Sequence, residues 1–509
     1  MKLSVNVRAV ARMLGVVLLL LAVFLALPAA VGAIYEEWHA MWSCIYASLT
    51  AAGFGGLLAW RFRSAALRAD GRPDYFRREG LATAGLAWLV GGVAGALPYL
   101  FEGTFTSFAD AFFESVSGLT TTGSTVMSGA EIEAMPKAIA FWRSFSQWLG
   151  GFGIVMVFVV FFPTGGRSLF RSEVPGISRE AGHQRVRDSA LMLVQIYFAL
   201  SIVLLACLMV VGMAPFDATI HTFTTIANGG FSNRADSIAH FDSAAIEGVL
   251  VVFMLLSAFN FAIYDTLFRV GPRPALRRLL GSLEARVFVS VVAGATLSIA
   301  AVLWVWDGPG LEGAEAYGSP VRALRDAVFQ VTCIVTTAGY ATADFDQWPQ
   351  FCRVLLMVLA FSGACAGSTA GGLKIVRILI VVKAALVGVR RFARPRVIHQ
   401  VRVDGQSLDG DVVASVTGYV VLWVLVFTAA TTLVASFGSD LETSATAVLV
   451  TLNNVGPGLG GVGPYSDAAV TGFGSFHDAA KVALSLCMVL GRLEFYALVV
   501  LLMPSFWRR

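Results

Sequence analysis

Apolar stretches of about 18 residues or more recur along the chain, and each is long enough to cross about 30 Å of hydrocarbon as a helix. The pattern predicts spans at about 10–33, 40–60, 80–100, 138–162, 189–213, 245–268, 285–306, 351–389, 412–436 and 479–503. The eighth is interrupted, because "SGACAGSTAGG" (362–372) holds four glycines and nothing larger than cysteine. Half-polar stretches too short to cross lie between several of these spans.

Composition agrees with the pattern. Of 509 residues, 57% are hydrophobic and only 14% charged, too few to solvate two or three soluble domains. The charges also alternate in sign along the chain. Segment 61–78 carries six arginines, 165–187 five and 389–402 five more, whereas the alternate connections carry Glu36, Glu37, Glu131, Glu133, Asp236, Asp242, Asp344 and Asp346. By the positive-inside rule both termini are expected in the cytoplasm. The net charge of +4 is then the sum of two oppositely charged faces and implies no nucleic-acid partner. The N-terminal run 13–33 resembles a secretion signal, but its length and the orientation needed by the next span favour a retained helix. Six scattered cysteines have neither disulfide nor zinc spacing and read as small core residues.

A fourfold repeat underlies the short polar stretches. "FADAFFESVSGLTTTGST" (108–125), "PFDATIHTFTTIANGGFS" (215–232), "LRDAVFQVTCIVTTAGYA" (324–341) and "LETSATAVLVTLNNVGPG" (441–458) align on Gly123, Gly230, Gly339 and Gly456. Asp110, Asp217 and Asp326 stand thirteen residues upstream of the first three glycines, and Glu442 is one position off that register in the fourth. The glycines are 107, 109 and 117 residues apart, so four copies of one unit account for most of the chain. Each unit reads as a span, a half-length helix opened by an acidic residue, a glycine loop and a second span. Irregular backbone at membrane depth is tolerated only where it lines a polar cavity. Four such loops about an axis would form rings of carbonyl oxygens that replace a cation's hydration shell. Thr121, Thr122, Asn228, Thr337 and Asn454 add oxygens that ligate the cation or brace the loop.

These stretches, with "WRSFSQWLGGFGI" (142–154), "FNFAIY" (259–264), "TTAGYATADFDQWP" (336–349), "CAGSTAGGLKIVR" (365–377), "NNVGPGLGGVGP" (453–464) and "LGRLEFYALVVLLMPSFWR" (490–508), resemble the Trk/Ktr/HKT superfamily of potassium transporters over nearly the whole chain. The resemblance is greatest to its bacterial TrkH-type subunits. It implies an all-α polytopic protein with four helix–pore-helix–filter-loop–helix repeats in a pseudo-fourfold, K⁺-channel-like arrangement, preceded by two extra helices. The expected divisions are 1–78 (the extra pair and a basic loop), 79–187, 188–281, 282–405 and 406–509. The implied activity is K⁺ uptake, with Rb⁺ also passing, across a bacterial inner membrane. The family works as a homodimer on a cytoplasmic, TrkA-like regulatory subunit that binds NAD(H) or ATP, and no organic cofactor is expected on this chain. Glycine at all four filter positions goes with K⁺ permeation in the family. The expected ion-lining residues are Thr121, Thr122, Gly123 and Ser124; Asn228, Gly229, Gly230 and Phe231; Thr337, Ala338, Gly339 and Tyr340; and Asn454, Val455, Gly456 and Pro457.

On its residues alone the break in the eighth span reads equally as a flexible intramembrane loop or as a small-residue packing patch. The family assigns it as a gate, comprising Gly363, Ala364, Cys365, Ala366, Gly367, Ser368, Thr369, Ala370, Gly371, Gly372 and Lys374. Lys374 and Arg377 are placed at its cytoplasmic mouth. Arg492 sits about halfway along an apolar span, where a guanidinium needs water or a partner. It is expected to face the pore beneath the filter and touch the gate loop, a structural ion pair being the competing reading.

Nothing suggests an enzyme: the six histidines lack metal spacing, and neither a phosphate-binding loop nor a nucleophile elbow is present. A proton- or Na⁺-coupled symporter is the nearer alternative. Coupling favours carboxylates deep in the spans, and Glu494 is the main one.

Overall fold

The structure, a computed structural model of the whole chain, describes residues 5–63, 77–161, 183–305, 319–394, 400–465, 472–493 and 495–507. Most of the arginine-rich segments and Glu494 therefore lie outside the described residues.

Two antiparallel helices, Val7–Ile34 and Trp38–Arg61, form an N-terminal hairpin that packs on the first helix of the repeat region, Arg77–Glu102. Their apolar faces remain largely uncovered, as expected of helices solvated by lipid (Leu20, Val23, Phe54 and Leu57 are exposed). Four repeats follow. Their first helices are Arg77–Glu102, His183–Val210, Leu283–Val305 and Gly410–Ala435. Their short pore helices are Phe108–Leu119, Pro215–Ile226, Pro320–Val335 and Leu441–Asn453, of 12, 12, 16 and 13 residues. At about 1.5 Å per residue none of these crosses a bilayer. They are also the most enclosed elements, with Phe113, Val116, Val331, Ile334, Val448 and Val450 at the centre of the main apolar core.

The second helices depart from the expected continuous spans. In repeat 1, Lys137–Phe161 runs unbroken. In repeat 2, Ala244–Ala258 stops and the chain turns by 92° into the following helix. Phe259 becomes extended and the Phe261 N–H bonds the carbonyl of Gly367, outside its own helix. In repeat 3, Gln350–Ser362 and Ile375–Ala393 flank the glycine-rich stretch, the one break that composition foretold. In repeat 4, Asp478–Arg492 ends and Tyr496–Leu502 begins after Phe495, which adopts φ +54°. Among the described residues, six unbroken helices are both long and apolar enough to span. Hydropathy misses the two extra breaks because neither contains glycine or proline.

The acidic starts of the pore helices also need correction. Asp110, Asp217 and Glu442 lie in the first turn, but the caps proper are Ser107, which accepts from the Ala109 N–H, and Asp440, which accepts from Thr443. The third helix begins six residues before Asp326, because Pro320 presets its first turn. Two of these first-turn acids also tie neighbouring repeats together. Lys481 of repeat 4 pairs with Asp110 of repeat 1, and Arg353 of repeat 3 bonds Glu442 of repeat 4 at 2.6 Å. Arg325 of repeat 3 grips both oxygens of Glu247 of repeat 2 at 2.7 and 2.8 Å.

Candidate functional site

All four pore helices end in the same way. Thr121, Asn228, Thr337 and Asn454 take left-handed dihedrals, with φ between +53 and +59°. The N–H of each bonds the carbonyl three residues back, on Gly118, Thr225, Ile334 and Thr451. The next N–H, of Thr122, Gly229, Ala338 and Val455, reaches five residues back to Ser117, Thr224, Cys333 and Val450 at 2.8–2.9 Å. This pair of bonds is a Schellman closure, usually made with glycine at the left-handed position. Asparagine accepts that conformation readily, whereas threonine does not. Thr121 and Thr337 each hold strain on the order of 1–3 kcal/mol, which the surrounding structure must impose.

Two residues on, Gly123, Gly230, Gly339 and Gly456 again have positive φ, from +72 to +112°. A side chain on Gly123 would meet the carbonyl of Gly229, one on Gly230 that of Ala338, and one on Gly339 that of Val455. All three approaches are nearer than 3.0 Å. A Cβ on Gly456 would lie 3.1 Å from the carbonyl of Thr122. Each loop thus abuts the carbonyl preceding the glycine of the next, and the fourth closes on the first. Sequence alignment alone cannot establish such a closed ring.

The residues flanking each glycine behave differently from one another. Ser124 donates to the carbonyl of Gly456 at 2.9 Å, another link between loops 1 and 4. Phe231 is buried under the guanidinium of Arg143, 3.7 Å from its ring centre. The Tyr340 hydroxyl bonds Thr224 and Thr225 on the second pore helix, and the Pro457 ring lies against Gly339. Three of the left-handed residues brace the loops through their side chains: the Asn228 amide donates to Thr369, Thr337 accepts from the Gly371 N–H, and the Asn454 amide donates to Thr122 and the Met488 carbonyl.

Residues 363–374 pass directly against these helix ends. Thr369 donates to Ile226 and Ser257 carbonyls, and Gly371 approaches Asn453 so closely that a Cβ there would lie 2.5 Å from its carbonyl. The stretch therefore touches the C-terminal ends of pore helices 2, 3 and 4. Its other side is tethered by the Ala366 N–H to Glu284 at 2.6 Å, and by Cys365 to the Ala258 carbonyl at 3.3 Å. Gly363, Gly367 and Gly372 have positive φ, while Ala364, Ala366 and Ala370 are buried. The Ser368 hydroxyl returns to the Cys365 carbonyl at 2.6 Å. The Lys374 ammonium turns back to the Ala370 carbonyl, and Arg377 stacks on Tyr419 at 4.4 Å. Arg492, 4% exposed, donates to the Thr369 carbonyl at 2.8 Å and to the Gly150 carbonyl of repeat 1 at 3.3 Å. Among the described residues it has no carboxylate partner, and its bonds to carbonyls are the compensation it finds.

Three further residues belong to the site, although no pattern analysis singles them out: Glu114, Arg143 and Gln147. Arg143 and Gln147 are one turn apart on Lys137–Phe161, both buried. The Glu114 carboxylate accepts from Arg143, from the Thr125 hydroxyl and from the Val126 N–H, just beyond the first glycine loop. The available clue was polar side chains at helical spacing inside an apolar span.

The model of a family described as TrkH, cation transport protein, matches residues 54–509. The chain is 37% identical to the Trk system potassium uptake protein TrkH of Vibrio parahaemolyticus, covering 98% of this chain and 99% of that one. It is 36% identical to the TrkH of Halomonas elongata over 99% and 100% of the two chains, and 34% identical to that of Escherichia coli over 98% and 99%. It superposes on the crystal structure of the potassium transporter TrkH from Vibrio parahaemolyticus with a TM-score of 0.85 and 35% identity, covering 98% and 99% of the two chains. A full-length match in sequence and in fold leaves one assignment: the chain belongs to the TrkH family of cation transport proteins and is a membrane transporter, not an enzyme.

Proposed function

We propose that this chain takes up K⁺, and Rb⁺ with it, across a bacterial inner membrane through the ring of four glycine loops, driven by the membrane potential. The single observation that carries this reading is the closed glycine-to-carbonyl ring, 123 to 229, 230 to 338, 339 to 455 and 456 to 122. A closed ring of backbone oxygens can replace water around a weakly hydrated cation. The names of the similar proteins, potassium uptake proteins of the Trk system, support K⁺ as that cation. The potential supplies about 2.3 kcal/mol per charge per 100 mV.

Residues 363–374 are the gate, closed at rest, and Arg492 holds it through Thr369. A cytoplasmic NAD(H)- or ATP-binding subunit releases it. The chain works as a homodimer with both termini in the cytoplasm, and its repeats are bounded near 79–187, 188–281, 282–405 and 406–509. Rb⁺ tracer uptake into proteoliposomes under an imposed potential tests the reading. Uptake that follows the potential and is displaced by K⁺ but not by Na⁺ supports it. Uptake that requires a proton or Na⁺ gradient replaces it with a symporter.

A further inference from the structure

The second glycine loop differs from the other three in one respect. At the position before the ring glycine, repeats 1, 3 and 4 carry Thr122, Ala338 and Val455, whereas repeat 2 carries Gly229. The structure supplies the reason. A Cβ on Gly229 would fall nearer than 3.0 Å to the side-chain amide of Gln147. That amide donates from Nε2 to the Gly229 carbonyl at 2.6 Å, and its Oε1 accepts from the Phe231 N–H at 3.2 Å. One fully buried side chain thus pairs with the backbone on both sides of Gly230. One turn earlier, Arg143 extends the same support, donating to the Ser232 carbonyl at 2.7 Å and covering the ring of Phe231. The Gly229 carbonyl is also the one that Gly123 of loop 1 abuts. Among the described residues, no side-chain donor reaches the equivalent carbonyls of Thr122, Ala338 or Val455. Repeat 4 shows the contrast: Gly491 packs on the Leu452 carbonyl as Gly150 packs on that of Leu119, and the residue three positions earlier is Met488 instead of Gln147.

We propose that Gln147 is a positioning residue for ion selectivity, its amide fixing the Gly229 carbonyl and Phe231 N–H so that loop 2 keeps its place in the ring. This rests on reading the ring as the filter. Removing Gln147 frees a buried carbonyl and N–H at once, and the loop must rearrange to satisfy them. Because Gly123 leans on that same carbonyl, the rearrangement reaches loop 1.

The test is Rb⁺ tracer uptake in proteoliposomes at fixed potential, with K⁺ and Na⁺ titrated separately as competitors. It compares the wild-type chain, Gln147→Leu, Gln147→Glu and Gly230→Ala. Gln147→Leu preserves volume and removes both bonds; the ratio of Na⁺ to K⁺ needed to halve uptake is expected to fall about tenfold. Gln147→Glu keeps an acceptor for Phe231 but sets a second oxygen against the Gly229 carbonyl, and a similar fall is expected. Should the leucine variant not fold, the glutamate variant decides. If Gly230→Ala lowers the ratio while the Gln147 variants keep the wild-type value, the positioning role is overturned and the filter reading stands. If Gly230→Ala also leaves the ratio unchanged, the filter reading itself fails.

Discussion

Alanine placed at each of the four ring glycines in turn should not act equally. At Gly123, Gly230 and Gly339 the new Cβ falls nearer than 3.0 Å to the neighbouring repeat's carbonyl. That oxygen must withdraw on the order of 1 Å to restore van der Waals contact. The atom forced to move belongs to the next loop, so one substitution disturbs two of the four. At Gly456 the corresponding approach is 3.1 Å, which a few tenths of an ångström of adjustment relieves, although φ +112° still strains an alanine locally. If withdrawal of one oxygen costs K⁺ about 1–2 kcal/mol relative to Na⁺, discrimination falls about 5- to 30-fold. Reversal potentials or competitive tracer uptake of purified, correctly folded variants measure it. Gly123→Ser belongs in the same series and should relax selectivity as Gly123→Ala does. A greater loss of discrimination in Gly456→Ala than in the other three, or the wild-type ratio in all four variants, would exclude this closed ring as the origin of selectivity.

Deleting Ala366–Gly371 should raise basal flux without any cytoplasmic partner; a folded deletion variant as closed as wild type removes that stretch from consideration as the gate. Arg492→Met takes away the donors to the Thr369 and Gly150 carbonyls, so resting tracer uptake should rise several-fold with the K⁺/Na⁺ ratio unchanged. Unaltered resting uptake would assign Arg492 a packing role only. Asp440→Ala should cost about 1 kcal/mol of stability through the lost cap of the fourth pore helix, read as a lower midpoint of thermal unfolding in detergent. Thr443 holds the Asp440 carboxyl below its ordinary range, so the cap's contribution is present above about pH 4 and fades as pH falls through the folded-state value. A wild-type chain and Asp440→Ala differing equally at every pH would contradict that assignment.

The fourfold plan is legible in the sequence because the physics repeats. A helix too short to cross must stop at membrane depth, and the stop needs residues that tolerate positive φ, so Gly123, Gly230, Gly339 and Gly456 keep one register. The closure preceding them is harder to read. Thr121 and Thr337 occupy left-handed positions that threonine disfavours, and the tertiary bond from the Gly371 N–H to the Thr337 hydroxyl shows part of what holds the second of them. The breaks at Phe259–Phe261 and Phe495 escape hydropathy for a related reason. No helix breaker is present, and the turn in repeat 2 is settled by a bond to Gly367, more than a hundred residues away. Asp110 and Glu442 look like caps because acidic residues suit helix starts, yet their side chains are drawn to Lys481 and Arg353 of neighbouring repeats. Gln147 leaves its trace in the sequence as an absence, the missing side chain at Gly229, whose meaning depends on a contact that only the fold supplies.

A K⁺-selective conduction path through the ring can be read as current through the chain lacking Ala366–Gly371 in a planar bilayer. With K⁺ on one side and Na⁺ on the other, the current is expected to reverse far toward the K⁺ equilibrium potential and not to shift when a pH gradient is added. Reversal near zero, or a reversal potential that tracks the proton or Na⁺ gradient, would contradict it.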